Sequence, residues 1–542
     1  MPVARAWTVS LIGLVAQVVE VEVDIAQGLP AFVLTGGSDA TLRESRERVR
    51  SAVTNSGAGW PARRVTVGLS PAGIPKTGSG LDVAIAAATL TAAGTVPPER
   101  LAETVMLGEL GLDGAVRPVS GVLPSVLGAS TAGFTRFIVP AANAEEARLV
   151  ADRVIGVRSL REVLHWLCTG EEPDIGLDDE QQSRPAPVGR ATPIPERPEL
   201  DLSDVVGQDR AAWALEVAAA GGHHLLMHGK PGVGKTMLAE RLPGLLPDLT
   251  PDEALEVTAI HSVAGILPPG GTLVTRPPFC APHHTSSTAA LIGGGARLAA
   301  PGAVSVAHRG VLFLDESPEF GARTLDALRQ PLESGQIVVG RSAGVVRYPA
   351  RFLLVMAANP CGCAVDTGTG PDSVAATCGC SSVQRQRYRA RISGPLLDRI
   401  DIRLDLLSPA KGLIGDDARG PASAAVRERV CEARGRAAKR FAGTGWSLTG
   451  DVPGPVLRRR WPVHADGAGL LDATQAAGRI SPRGLDRVLK LAWTIADLAG
   501  HDQPSADDVA AALGLRQRGA VPADFATIRS AGAGRQALRR PA

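Results

Sequence analysis

The chain has 542 residues, enough for three or four domains, and its formal net charge of +2 is close to neutral. This balance excludes a protein that holds nucleic acid by bulk positive charge, so such a partner needs a local basic surface or pore. Apolar runs stop well short of about 18 residues, which excludes a membrane-spanning helix and favours a cytoplasmic protein whose seven cysteines are reduced or metal-bound.

Residues 1–168 alternate between strand and helix patterns and carry no nucleotide motif. The spacing of apolar residues predicts strands over 17–24, 31–35, 64–69, 104–108 and 136–139, and helices over 40–57, 80–93, 121–133 and 143–151. Residues 169–200 are acidic and proline-rich. Because that composition cannot bury a core, we expect a linker there.

A phosphate-binding pattern, G-x-x-x-x-G-K-[ST], follows the linker. It consists of Gly229, Lys230, Pro231, Gly232, Val233, Gly234, Lys235 and Thr236. Backbone N–H groups can grip phosphates only where no Cβ collides, which explains the glycines. Lys235 supplies charge for the β- and γ-phosphates, and Thr236 offers a hydroxyl to Mg²⁺. The pattern therefore predicts a site for ATP and Mg²⁺ between a short strand and a helix.

Two further apolar strands end in polar residues that complete such a site. The first, over 310–314, ends in Asp315 and Glu316, and the second, over 352–358, ends at Asn359. Asp315 is suited to hold Mg²⁺, and Glu316 to polarise the attacking water. We expect Asn359 to orient that water near the γ-phosphate.

Four cysteines form two C-x-C pairs, Cys361 with Cys363 and Cys378 with Cys380. Four soft ligands suit structural zinc, and inert buried thiols are the alternative. The adjacent His283 and His284 are a poor metal site, because neighbours on an extended segment point to opposite faces. We expect an inserted hairpin over 276–297 instead.

Residues 75–82 read Pro-Lys-Thr-Gly-Ser-Gly-Leu-Asp, and residues 108–122 run from Gly-Glu-Leu to Arg-Pro-Val-Ser-Gly-Val. The first stretch resembles the region around the nucleophile of Lon-type proteases, and the second resembles the region around their lysine. Gly80 stands at the nucleophile position, and 122–125 contains no lysine. The resemblance implies a Lon-like (ribosomal S5 domain 2-like) α+β domain without proteolysis. A rearranged dyad of Ser79 and Lys76 is the alternative.

Residues 307–316, 328–333 and 393–401 resemble the magnesium-chelatase clade of AAA+ ATPases, and with the Lon-like segment the chain resembles the ComM/YifB family. The resemblance implies an α/β fold with a P-loop AAA+ core over 201–408. It also implies a connecting helical segment over 409–444, a C-terminal helical lid over 445–520 and a basic tail over 521–542.

This family resemblance further implies a ring, usually a hexamer, with ATP at the subunit boundaries. Arg399 then becomes the arginine finger that reaches a neighbour's γ-phosphate, and a local salt bridge with Asp398 or Asp401 is the alternative. Arg391 is a weaker second candidate. Arg483, at the start of a lid helix, resembles the second sensor, which contacts the γ-phosphate within its own subunit.

The function implied by the resemblance is a Mg-ATP-dependent motor that remodels branched or single-stranded DNA, with branch-migration or helicase-like activity in DNA uptake and recombination. Arg276, Arg297 and Arg309 lie near the expected hairpin as candidate DNA contacts. The alternatives are a magnesium-chelatase subunit acting on a porphyrin and a nucleotide-regulated scaffold. The fused N-terminal domain argues against the first, and the intact catalytic residues argue against the second. No membrane partner is expected.

Overall fold

The computed structural model describes residues 3–37, 39–76, 80–173, 200–268, 270–295, 299–341, 344–363, 380–407 and 420–517. They form an N-terminal mixed sheet with helices, a central parallel sheet with helices, and a block of C-terminal helices. The fold class is therefore mixed α/β. None of the described helices combines the length and the apolar character needed to cross a bilayer.

The N-terminal part is built on a seven-stranded sheet in the order β3-β4-β2-β1-β5-β8-β9. The strands of the N-terminal part, of which β6 and β7 form a separate two-stranded sheet, are β1 (Ala4–Ile12), β2 (Val15–Ala26), β3 (Ala31–Thr35), β4 (Arg64–Ser70), β5 (Thr104–Met106), β6 (Glu109–Leu110), β7 (Val116–Arg117), β8 (Arg136–Pro140) and β9 (Val154–Val157). Its helices are α1 (Asp39–Asn55), α2 (Asp82–Ala92), α3 (Val122–Thr131), α4 (Ala144–Arg148) and α5 (Leu160–Thr169). In β2 the alternate residues Val19, Val21 and Val23 are buried, as a half-buried strand requires.

The central part is built on a five-stranded sheet in the order β11-β14-β17-β10-β18, in which every pairing is parallel. The strands of the central part, of which β12, β13, β15 and β16 form two separate two-stranded sheets, are β10 (Leu225–His228), β11 (Phe279–Cys280), β12 (Gly293–Gly294), β13 (Ala300–Pro301), β14 (Val311–Leu314), β15 (Gln336–Arg341), β16 (Gly344–Pro349), β17 (Leu353–Ala358) and β18 (Ile402–Asp405). Its helices are α6 (Asp209–Gly221), α7 (Lys235–Arg241), α8 (Pro251–Ala264), α9 (Thr288–Ile292), α10 (Ala303–Val306), α11 (Ala322–Asp326), α12 (Arg329–Ser334), α13 (Ser382–Arg389) and α14 (Gly394–Leu397).

Helices alone make up the described C-terminal part. They are α15 (Ser423–Arg440), α16 (Gly454–Arg460), α17 (Ala465–Ala476), α18 (Pro482–Ala499) and α19 (Ala506–Arg516). Their apolar faces share one buried cluster with β10, β17 and α6, because Val430, Val488 and Leu489 pack in the same core as Leu225 and Val355. The C-terminal helices are thus fixed to one face of the central sheet.

The N-terminal part also contacts the central part. Gly13, in the turn between β1 and β2, adjoins Val346 of β16, and Glu146 of α4 accepts hydrogen bonds from Leu123 N at 2.9 Å and from Ser262 Oγ of α8. Burial raises the pKa of Glu146, against the lowering effect of these hydrogen bonds. We call the surface formed by this turn, α4, α8 and β16 the junction surface.

Several sequence predictions differ from the observed elements. The pattern predicted strands and helices close to β2, β3, β4, β5, β8 and α1–α4, but it missed β1, β9 and α5. The hairpin expected over 276–297 is reduced to the two-residue strands β12 and β13, with α9 before them. The larger hairpin is β15–β16, whose six residue pairs run from Gln336↔Pro349 to Arg341↔Gly344.

Candidate functional site

The glycine-rich segment turns from the end of β10 into α7. Gly232 and Gly234 have φ of 75° and 95°, and a Cβ at either position would meet no atom within 4 Å. The loop therefore presents its backbone to open space, as a phosphate cradle must. Gly229 is different, because a Cβ there would lie 2.7 Å from Cγ1 of Val233. Lys230 and Pro231 lie between Gly229 and Gly232 and complete the loop.

Lys235 and Asn359 meet at the carboxyl ends of two adjacent parallel strands, β10 and β17. The Lys235 Nζ donates to Asn359 Oδ1 at 2.9 Å and to the carbonyl oxygens of Gly229 and Lys230 at 2.8 and 2.9 Å. Burial lowers the pKa of Lys235, while the carboxylates of Asp315 and Glu316 oppose that change. The predicted phosphate-binding lysine and the predicted water-orienting amide therefore share one site.

Thr236 and Asp315 provide a pair of oxygen ligands beside that lysine. The Thr236 hydroxyl donates to Asp315 Oδ2 at 2.9 Å, across 79 positions of sequence. Mg²⁺ prefers hard oxygen ligands from carboxylates and hydroxyls, together with those of substrate phosphates. These two residues therefore fit the Mg²⁺ of a nucleotide complex.

Glu316 adopts a left-handed backbone conformation, with φ 47° and ψ 43°. Such a conformation is costly for a residue with a Cβ, and non-glycine residues of this kind cluster at functional sites. Its carboxylate lies 3.5 Å from Nδ1 of His284, the one side chain paired with it in the described ranges. Sequence reasoning considered His284 only as a metal ligand. Nothing in the sequence around His284 indicates that it pairs with Glu316.

Arg399 lies away from its own phosphate loop. It precedes β18, whose first residue Ile402 pairs with Leu225, whereas the loop follows His228 at the other end of β10. The three residue steps from Leu225 to His228 separate these ends by about 10 Å. The Arg399 guanidinium pairs with Glu333 of α12 and donates to Pro395 O at 2.5 Å. The alternative of a salt bridge to Asp398 or Asp401 is not what is observed, because those two residues pair with Arg483 and Arg487.

Arg483 lies at the same end of the sheet as Arg399. It begins α18, is 82% exposed and lies 3.8 Å from Asp398. Arg483 therefore lies beside the residues that precede β18, away from the end of β10 that carries its own phosphate loop, and its contact with a γ-phosphate stays a prediction. A pocket of about 330 Å³ joins the two arginines. Its lining comprises Glu333, Asp398, Arg399, Pro453, Gly454, Arg483, Asp486, Arg487 and Lys490.

Arg391, the second finger candidate, pairs with Glu319 Oε2 at 2.7 Å and lies over the ring of Tyr388. Of the candidate DNA contacts, Arg309 is held by Glu253 at 3.1 Å and Glu256 at 3.6 Å, so its charge is compensated within the chain. Arg297 lies outside the described residues. So does Ser79, the partner of Lys76 in the alternative rearranged dyad, and the Nζ of the buried Lys76 donates to Pro71 O.

Three of the four predicted zinc ligands come together. The Sγ atoms of Cys361, Cys363 and Cys380 lie within 4.8 Å of one another, and those of Cys361 and Cys363 are 3.1 Å apart. Tetrahedral zinc with bonds of about 2.3 Å to sulfur places its thiolates about 3.8 Å apart, a value between the 3.1 Å of the Cys361 and Cys363 pair and the 4.8 Å limit of the cluster, so the three thiols could hold such an ion. Cys378, the fourth predicted ligand, lies outside the described residues.

Three family models match this chain. The magnesium chelatase subunit ChlI model covers residues 201–412, the model described as subunit ChlI of Mg-chelatase covers 21–143, and the ChlI C-terminal model covers 420–516. Together these matches span the N-terminal part, the central sheet with its phosphate loop, and the C-terminal helices.

Full-length relatives agree with these models. An uncharacterized protein of Mycobacterium tuberculosis is 50% identical over 523 residues, which is 96% of this chain and 100% of the relative. The uncharacterized protein YifB of Escherichia coli is 40% identical over 93% of this chain and 94% of its own. The competence protein ComM of Haemophilus influenzae is 38% identical over 95% of this chain and 98% of its own. The chain therefore belongs to the ComM/YifB family of magnesium-chelatase-like AAA+ ATPases.

Proposed function

We propose that the protein is a Mg-ATP-dependent motor that remodels DNA. The observation that carries its ATPase chemistry is the convergence of Lys235, Thr236, Asp315 and Asn359 at the carboxyl ends of β10, β14 and β17. Lys235 binds the β- and γ-phosphates in exchange for its present oxygen partners, and Asn359 orients the attacking water. Glu316 accepts the proton of that water. Mg²⁺, held by Thr236 and Asp315, neutralises phosphate charge when bound.

The site is shared between neighbouring subunits in this proposal. Arg399 and Arg483 lie toward the amino-terminal ends of β10 and β18, whereas their own phosphate loop follows the carboxyl end of β10, which supports their acting on a nucleotide held by another subunit. Two arginines directed at developing phosphate charge stabilise the transition state electrostatically. A closed ring, with six subunits as the family resemblance implies, gives each phosphate loop such a neighbour.

Mixed rings test the sharing of the site. Arg399→Ala subunits keep a complete phosphate loop and base, whereas Glu316→Gln subunits keep a complete arginine pair. Each homomer should lose about 10²–10⁴-fold in ATPase rate. Their mixture should regain activity at boundaries where a complete loop faces a complete arginine pair. Mixed rings that form, as shown by differently tagged subunits, and yet remain inactive would contradict the shared site.

DNA is the proposed substrate of the motor. The full-length relative named competence protein supports this choice, as does the family resemblance to DNA-remodelling ATPases. Arg347 is exposed on β16 opposite Val338, and Arg341 of β15 donates to Gly295 O at 3.0 Å beside β12. Two hairpins thus lie together with basic side chains, as a near-neutral protein needs if it grips DNA in a ring. A porphyrin substrate has no comparable support, because the full-length match is to ComM and YifB.

Substitution of the hairpin arginines tests this assignment. Arg347→Ala should weaken DNA binding and reduce the slope of log K against log salt by about 1, because one phosphate contact is lost. Arg46→Ala removes the same charge from the exposed surface of α1 and should leave both quantities unchanged. Equal effects of the two substitutions would contradict the hairpin as the DNA contact.

The cysteine cluster is proposed to hold structural zinc. Cys361 follows Asn359 by two residues and Cys380 precedes α13, so the ion would tie the start of α13 to the end of β17. Metal analysis should find about one zinc per chain, lost in a Cys361→Ser/Cys363→Ser variant. A metal-free preparation from zinc-replete cells with unchanged order around 361–380 would contradict this proposal.

A further inference from the structure

A buried ionic network joins the central sheet to the C-terminal helices behind the two arginines. Its centre is Asp401, which is 1% exposed and directly precedes β18. Asp401 Oδ1 accepts from Arg487 Nη1 at 2.9 Å, and Oδ2 lies 3.1 Å from His223 Nδ1. Burial alone would raise the pKa of Asp401, but the Arg487 charge and the His223 hydrogen bond outweigh it and hold that pKa well below its usual range. Asp401 is therefore a charged carboxylate in the interior.

One face of α18 supplies the other half of the network. Arg483, Arg487, Lys490 and Thr494 follow one another at intervals of three or four residues, so they share that face. Thr494 Oγ1 lies 2.8 Å from His223 Nε2, and Lys490 Nζ donates to Gly450 O at 2.7 Å. Arg483 lies one turn from Arg487, at the exposed start of the helix.

The same network reaches Arg399 along the chain. Arg399 is two residues from Asp401, whose backbone N–H donates to His224 O at 3.0 Å. Arg399, Arg483 and Arg487 line one pocket. Arg399, which is largely buried, and the exposed Arg483 therefore extend from a single buried anchor, one from the residues before β18 and one from α18.

A buried ion pair is an inefficient way to hold two structural parts together, because the cost of desolvating the charges can exceed their attraction. What such a pair can supply is a defined geometry. The apolar face of α18 is buried without this network, since Val488, Leu489 and Ile495 belong to the hydrophobic cluster that α18 shares with α6, α15 and the sheet. The network is thus better suited to set the position of attached groups than to supply stability.

We propose that Asp401, Arg487 and His223 are positioning residues that fix Arg399 and Arg483 relative to each other, so that both reach the same phosphate group on a neighbouring subunit. This inference rests on the proposed sharing of the ATP site. None of the three residues touches the nucleotide. Their role is to make the arginines of sheet and helix act as one unit.

Kinetics of network variants give the first test. Arg487→Met keeps much of the buried side-chain volume but removes the charge that holds Asp401. Its ATPase kcat should fall at least tenfold, while nucleotide affinity, measured in a Glu316→Gln background, should change less than threefold. Arg440→Met is the matched control. Arg440 of α15 pairs with the buried Asp497 of α18 at 2.9 Å, and neither residue lines the pocket. The kcat of Arg440→Met should stay within threefold of the parent.

A double variant separates positioning from folding. The Arg487→Met variant leaves the charged Asp401 without its arginine, whereas Asp401→Asn/Arg487→Met removes both charges. The free energy of unfolding of the double variant should therefore be closer to the parent value than that of Arg487→Met. The kcat should nevertheless remain low, because the connection between the two arginines is still missing. Recovery of kcat together with stability would assign the network a purely structural role and overturn the inference.

Mixed rings show on which side of the boundary the network acts. Arg487→Met subunits should regain activity when mixed with Glu316→Gln subunits, which bring an intact network to the boundary, and should not regain it with Arg399→Ala subunits. No rescue by Glu316→Gln in rings shown to be mixed would overturn the inference. If the Arg399→Ala and Glu316→Gln pair is rescued in the same assay, the shared site stands and only the positioning role fails. If that pair also fails, the shared site itself is wrong.

Discussion

At the scale of single residues, the strongest contrast is between Lys235 and Glu316, which lie in one site with different expected tasks. Lys235 donates to three oxygens at 2.8–2.9 Å, whereas Glu316 has a strained backbone and a carboxylate paired only with His284 among the described residues. The first geometry suits a group that holds phosphate, and the second suits a base held in place by its backbone.

Substitution should separate these two tasks. Lys235→Ala should weaken ATP binding, because the point charge for the β- and γ-phosphates is lost. Glu316→Gln should bind ATP with near-parental affinity but hydrolyse it about 10²–10⁴-fold more slowly, since an amide cannot accept the proton. A fluorescent ATP analogue and a phosphate-release assay measure the two effects. Parental turnover by purified Glu316→Gln would show that Glu316 is not the base.

Sequence reasoning could bring Lys235, Thr236, Asp315 and Asn359 together, because each follows an apolar strand and parallel strands place such residues at one edge. It could not identify side-chain pairs whose members lie far apart in the sequence. Glu333 pairs with Arg399 across 66 positions and His284 with Glu316 across 32, and no pattern in the sequence links either residue to its partner. These contacts depend on how α12 and the segment after β11 fold back on the sheet.

At the scale of secondary-structure elements, the continuous apolar strands β10, β14 and β17 were predictable, because strands buried on both faces need no alternation. The β15–β16 hairpin was missed. Its outer face carries the exposed Val338 and Val345, so apolar residues occupy both faces and the strand pattern is obscured.

The amino-terminal end of the central sheet contains a second testable residue, His224. Its Nδ1 accepts from Leu354 N at 3.1 Å, which ties β10 to β17, and burial lowers the pKa of His224 to about 4. The unfolded chain has a His pKa of about 6.5, so between pH 6.5 and 4 the unfolded state binds more protons. Stability from His224 is therefore fully present above pH 6.5 and is lost as pH falls toward 4.

The free energy of unfolding contributed by His224 should fall by about 2 kcal/mol between pH 7 and pH 5. Thermal unfolding should show a steeper fall in midpoint over this range for the parent than for His224→Gln, whose amide oxygen can still accept from Leu354 N–H but does not titrate. Identical slopes for the two proteins would show that His224 does not contribute to the acid sensitivity.

At the scale of the whole molecule, the junction surface decides whether the N-terminal part moves with the ATPase part. A Cβ on Gly13 would lie 2.8 Å from Val346 Cγ1 and 3.1 Å from Arg347 O. Gly13→Ala should therefore separate the turn from β16 at a cost of about 1–3 kcal/mol and increase hydrogen exchange in β16 and α8. Gly57→Ala is the control, because Gly57 has a similar φ of 82° but no atom within 4 Å of its Cβ. Equal exchange in both variants would contradict a junction held by this turn.

The central claim for the whole molecule is that ATP hydrolysis at the Lys235–Glu316 site is coupled to DNA. The most direct measurement is the ATPase rate of the assembled protein at low salt without DNA and with forked, single-stranded and four-way DNA. We expect several-fold stimulation by at least one of these substrates, absent in Glu316→Gln and reduced in Arg347→Ala. An unchanged rate with all three, together with no detectable binding to any of them, would contradict the account.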